Sequence, residues 1–157
     1  MLKITKEVEY ALIALKFMHE ARPGQIISAR EVCDDKNLPF DATSRTMQKL
    51  AKRHILKSNQ GKAGGYQLVA DLSRVSVYDF MDAAVGPVEL AKCLGVKCGC
   101  QLVETCNIIS PMTVLNNKLI DFYKSINLRD LFDSRSSDEA DIKERYRQKM
   151  QNAKIAG

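Results

Sequence analysis

Residues 40–69 read FDATSRTMQKLAKRHILKSNQGKAGGYQLV. Across 40–54, Phe40, Thr43, Met47, Leu50 and His54 recur at helical spacing and predict a helix with one inward stripe. Its opposite face shows Asp41, Ser44, Arg45, Gln48 and Lys52, spaced so that all five project together. After it, 56–59 reads as a strand, Gly61-Lys62-Ala63-Gly64-Gly65 as a glycine-rich turn, and 66–69 as a returning strand. A helix followed at once by a β-hairpin with a basic tip is the unit around which the rest of the chain is read.

Toward the N-terminus, Val8, Ala11, Leu12, Leu15 and Met18 predict a helix over 6–20, closed by the Arg22-Pro23-Gly24 turn. Ser28-Ala29-Arg30-Glu31 has the form of a capping box, with serine and glutamate each satisfying one early amide. A short helix to about residue 36 follows, with Cys33 on its inner face, and Asn37-Leu38-Pro39 breaks the chain before the third helix. A fourth short helix spans 77–85 and stops near Gly86-Pro87. Helix, short helix, tight turn, exposed helix, hairpin is the order of a winged helix-turn-helix, so the fold class expected is mainly α with a small β-hairpin wing.

The charge distribution gives that fold a partner. The chain carries a formal net charge of +5. Residues 45–62 hold Arg45, Lys49, Lys52, Arg53, Lys57 and Lys62 with no acidic residue among them. Double-stranded DNA asks for this: lysine and arginine to neutralise phosphates, short polar side chains to read base edges. Arg45 can fork onto a guanine, and Ser44 and Gln48 are adaptable readers. Asp41 can accept from cytosine N4 or cap its own helix. The bland reading of the same residues is a solvated charged face.

Beyond the hairpin, a helix over 111–126 places Met112, Leu115, Leu119, Phe122 and Ile126 in alternating steps of three and four. That is coiled-coil spacing and favours a homodimer. The chain thus divides into a DNA-binding domain (1–86), a cysteine-rich loop (87–110), a dimerisation helix (111–133) and a charged, flexible tail (134–157). No secretory signal and no membrane-length apolar run is read, which places the chain in the cytoplasm, where thiols stay reduced.

Cys93, Cys98, Cys100 and Cys106 crowd into 14 residues, while Cys33 is the only other cysteine. Thiolates so close on a loop suit a soft metal or an iron–sulfur cluster better than a core or a disulfide. A constitutive winged-helix DNA-binding protein with a structural zinc or thiol-redox site is the rival, although one residue between Cys98 and Cys100 is not the common two-residue zinc knuckle. Enzyme classes find no support: no C-x-x-C sits beside a βαβ pattern, and the glycine-rich 61–65 turn opens a strand, not a helix.

Glu9-Tyr10-Ala11-Leu12, the Gly64-Gly65-Tyr66-Gln67-Leu68 wing, Val75-Ser76-Val77 and the Cys100-x5-Cys106 spacing together resemble the Rrf-two family over residues 1–132. These are bacterial winged-helix transcription regulators, among them an iron–sulfur cluster regulator and a nitric-oxide-sensing repressor. The resemblance implies a homodimer on a palindromic operator, with a 2Fe-2S or 4Fe-4S cluster in each cysteine loop sensing iron, redox or nitric oxide status. It places Asp41, Ser44 and Arg45 among the base readers. Gln60 stands where the family's wing often carries an arginine, with Lys62 as a substitute. Cys93, Cys100 and Cys106 follow the order of the family's three cysteine ligands, with a first gap one residue longer than the commonest. For the fourth ligand, Ile109 stands where some members have histidine. Others use a carboxylate from the partner's first helix, where Glu9 stands, and Cys98 is the competing sulfur.

Overall fold

The computed structural model describes residues 4–61, 64–95, 100–133 and 139–155. Lys62 and Cys98 lie outside the described residues. Helix α1 (Lys6–Glu20) begins at Thr5, whose hydroxyl accepts from the Val8 amide. It buries Val8, Ala11, Ala14, Leu15 and Met18 along one stripe. Helix α2 (Ala29–Lys36) starts at the predicted capping box: the Glu31 amide donates to Ser28 Oγ at 3.1 Å and the Ser28 amide to Glu31 Oε2 at 2.7 Å. Those bonds hold the Glu31 carboxyl below the usual glutamate range, the backbone amide of Ser28 contributing most. Asn37 closes α2 in the left-handed conformation, and Cys33 is buried beneath it.

Helix α3 (Phe40–Lys52) buries Thr43, Thr46, Met47 and Leu50. Two expectations for its inner stripe are corrected. Phe40 is 42% exposed, with the Arg30 guanidinium 4.9 Å from its ring centroid. His54 lies past the helix in a left-handed conformation (φ 58°) and is exposed. The turn closes as the Ile55 amide donates to the Leu50 carbonyl at 3.0 Å, so His54 fills the place glycine usually takes at a helix end.

Strands β1 (Leu56–Asn59) and β2 (Gly65–Leu68) pair antiparallel, from Leu56 opposite Leu68 to Asn59 opposite Gly65. Ile27 and Tyr66 exchange two backbone hydrogen bonds of 2.8 Å, which fasten the hairpin to the segment before α2. Gly65 makes this possible, because a Cβ there would lie 2.7 Å from the Ile27 carbonyl oxygen. Helix α4 (Val77–Val85) has a second capping box, Ser76 with Asp79.

Helices α5 (Ile109–Lys124) and α6 (Leu128–Asp133) divide the segment read as one long helix. Between them the chain turns back: the Val77 amide donates to the Ile126 carbonyl (2.8 Å) and the Leu128 amide to the Val75 carbonyl (2.9 Å). Leu128 is thereby buried in the same core as Leu15, Ile27, Met47, Leu50 and Phe80. On α6's side, Asp133 meets His19 at 3.1 Å and the Phe132 carbonyl accepts from Lys16. Along α5, Val114, Leu115 and Phe122 are more than half exposed, while Asn116 is buried. Helix α7 (Glu139–Ile155) occupies much of the charged C-terminal segment. No described helix is long and apolar enough to cross a membrane.

Candidate nucleic-acid interface and cysteine segment

The outer face of α3 is built as its spacing requires. Asp41, Arg45, Gln48 and Lys52 are exposed and Ser44 is half-buried on one side, while Thr43, Met47 and Leu50 anchor the other. Pro39 holds the N-cap position with no side-chain cap bond, so Asp41 does not act as the cap. It sits in the first turn, where a carboxylate opposes the positive end of the helix dipole. Gln60 is exposed at the hairpin.

The basic cluster divides by what each cation touches. The Lys49 ammonium donates to the Ala84 carbonyl at 3.0 Å, and Arg53 pairs with Asp82 at 3.0 Å. Both turn toward α4, and they clamp α3 against it. Lys49 therefore serves a joint within the fold, a role its place in the sequence cluster did not reveal. Arg45, Lys52 and Lys57 have no ion-pair partner among the described residues. Arg30, on α2 and over Phe40, adds a cation that sequence reading missed. Its signal was available, since position 30 lies on the solvent side of the capping box.

Downstream of α4, the cysteine segment has few regular elements: a 3-10 turn at Lys92–Leu94 and another at Val103–Thr105. Cys93 and Cys106 are half-buried and Cys100 is exposed, and all three are free thiols outside the core cluster. The Leu90 amide donates to the buried Asn116 Oδ1 at 2.9 Å, which ties the start of the segment to α5. The Glu89 carboxylate lies where a Cβ on Gly95 would sit. Glu9 projects from α1 with its carboxylate 2.6 Å from Lys6 Nζ, and that bond raises the lysine pKa.

By donor chemistry the segment fits a soft metal or an iron–sulfur group: three free thiols on irregular backbone, none in a disulfide. Among the described residues, no three His, Cys, Asp or Glu side chains are gathered at metal-binding range. Cys93, Cys100 and Cys106 stand on one segment without forming a finished cage.

These features define a winged-helix DNA-binding regulator. Residues 4–134 match the Rrf2 family, described as iron-dependent transcriptional regulators, and the chain belongs to that family. A putative HTH-type transcriptional regulator of Aquifex aeolicus is 25% identical over 126 residues, 79% of this chain and 87% of that protein. The HTH-type transcriptional regulator IscR of Vibrio vulnificus is 25% identical over 145 residues, 90% of this chain and 86% of that protein. Among solved structures, the oxidised form of Staphylococcus aureus CymR superposes with a TM-score of 0.64 at 17% identity, covering 87% of this chain and all of that one. Membership makes the chain a transcriptional regulator, not an enzyme.

Proposed function

We propose that the chain acts in the cytoplasm as a homodimer that binds a palindromic operator and adjusts its affinity to the state of an iron–sulfur group. Cys93, Cys100 and Cys106 would hold the group, with Cys98 or the Glu9 carboxylate of a second copy supplying the fourth donor. The observation that carries the reading is the free-thiol segment fastened to α5 in the same fold as an exposed, base-reading helix face. When bound, an iron–sulfur group supplies a redox-active centre that crosslinks its thiolates.

The protein's own residues provide a continuous mechanical route from that segment to DNA. Asn116 couples residue 90 to α5. Helix α5 packs on α4, and α4 holds α3 through the Lys49–Ala84 and Arg53–Asp82 contacts. Linking Cys93, Cys100 and Cys106 through a bound group thus biases the seat of α5 on α4 and the tilt of α3, which sets how two recognition helices meet half-sites about one DNA turn apart. A coupling of ~1–3 kcal/mol changes operator occupancy by about 5- to 150-fold. Arg45, Gln48 and Ser44 read bases from α3, Asp41 tunes that contact, Lys52 and the hairpin residue Gln60 face the backbone, and Lys62 supplies a further phosphate contact.

Oxygen-free purification followed by iron, sulfide and visible-absorption analysis tests the cofactor, and DNA titration with and without it at one salt concentration tests the coupling. Brown protein with equimolar iron and sulfide and tighter or weaker binding than the apo form is expected. Colourless, zinc-loaded protein with unchanged affinity assigns the segment to structural zinc on a constitutive DNA-binding protein. Metal-free protein whose affinity follows thiol oxidation assigns it to thiol redox chemistry.

A further inference from the structure

A hollow of about 610 Å³, of ligand size and open to solvent, lies between the C-terminal half of α3 and the hairpin. Its floor is apolar, formed by Leu56, Val69 and the ring of Tyr66. Lys52 and Lys57 stand among its lining residues, together with His54, and no carboxylate is found among the described residues that line it. Neither lysine has an ionic partner among the described residues. Burial raises the Tyr66 phenol above its ordinary pKa, so it remains a neutral hydrogen-bond donor across the physiological range. The backbone is strained at the same place, because His54 is a non-glycine residue at φ 58°.

We propose that this hollow is a binding site for a small organic anion, a carboxylate carried on an apolar or aromatic body. The two halves of the hollow ask for the two halves of such a molecule: the floor removes apolar surface from water, and the unpaired ammonium groups take the carboxylate. A phosphate group alone does not satisfy it, since a phosphate has nothing to offer an apolar floor. Lys52 stands on the α3 face that reads DNA and Lys57 on the adjoining strand β1, where it adds a second cation toward the phosphate backbone, so an occupant withdraws both from it in each protomer. This second consequence rests on the DNA-binding reading above; the binding site itself does not.

The direct test uses the full chain without DNA and 3-phenylpropionate as probe, with 3-phenylpropanol as the uncharged counterpart, followed by calorimetry and by backbone amide shifts. Saturable binding of the carboxylate is expected, with shifts confined to residues 51–58 and 66–69 and the alcohol about tenfold weaker. Lys57→Gln should weaken the carboxylate about tenfold and leave the alcohol unchanged. Val69→Trp, which fills the hollow from a half-exposed position, should abolish both. Equal binding of acid and alcohol, shifts elsewhere, or no saturation in the millimolar range overturns the proposal. A separate arm measures binding to a mixed-sequence duplex against salt. Saturating carboxylate should lower the logarithmic salt slope by about 1.8 for each protomer on the duplex, the loss of two phosphate contacts apiece. An unchanged slope with intact carboxylate binding overturns only the competition with DNA, and no DNA binding at all in the free protein overturns the function proposed above while leaving the site.

Discussion

Thr43 is wholly buried on α3, and its hydroxyl has no hydrogen-bond partner among the described residues. Thr46, one turn on, differs because its hydroxyl donates to the Thr43 carbonyl at 2.8 Å. A buried hydroxyl without a partner costs its desolvation and returns nothing. Thr43→Val, of the same shape, is therefore expected to stabilise the fold by up to ~1 kcal/mol, read as a raised urea midpoint at unchanged slope. Thr46→Val should instead destabilise it. At Glu31 the sign concerns pH. Its folded pKa is depressed, so the folded state resists protonation, and the stabilisation is complete above the ordinary glutamate range. It fades as pH falls through the depressed folded value. Urea midpoints of wild type and Glu31→Gln should differ near neutrality and converge in acid; a gap that widens in acid contradicts the assignment.

Elements were legible where a local device sets them. The bounds of α1 and α4 and the start of α2 follow from apolar spacing and Ser or Thr caps, signals carried within four residues. Where the determinant is distant, the sequence was silent. Lys49 reads as one more cation of a basic run, and only the Ala84 carbonyl, 35 positions away, turns it inward. The end of α3 was misplaced because histidine, unlike glycine, does not advertise a left-handed closure. The division of α5 from α6 depends on Ile126 and Leu128 pairing with 75–77, which no periodicity contains. Asn116 is similarly hidden, a polar residue on α5 whose reason is the Leu90 amide. Replacing it with alanine leaves that amide unpaired and should cost ~1–3 kcal/mol. If α5 relays the order of the cysteine segment, Asn116→Ala should also narrow the difference in DNA affinity between cofactor-loaded and cofactor-free protein. A stability loss with the full difference retained would place the relay elsewhere.

For the molecule as a whole, the decisive surface is the one α5 leaves uncovered. Val114, Leu115 and Phe122 are 53%, 53% and 57% exposed on a helix whose buried side already packs on α4. Single exposed apolar residues are ordinary, but Leu115 and Phe122 are seven positions apart, one heptad, and so share one face of α5, the seam on which a second copy is expected to pack. The fold below it is complete: Leu128 seals the core and His19 with Asp133 pins α6. Charge on the seam should thus leave the winged-helix unit folded and act on association alone. Sedimentation of the wild type is expected to give a dimer at micromolar concentration, and Leu115→Lys/Phe122→Lys a monomer with unchanged circular dichroism. On DNA the same variant should lose the gain that comes from linking two half-site contacts, about 10²- to 10⁴-fold, while its residual binding keeps the salt dependence of a single head. Arg45→Ala belongs to the opposite class: it should remain dimeric, cost ~1–3 kcal/mol and relax discrimination at one base pair per half-site. If the lysine pair leaves the protein dimeric, the seam lies elsewhere, and the spacing between recognition helices is not set by α5.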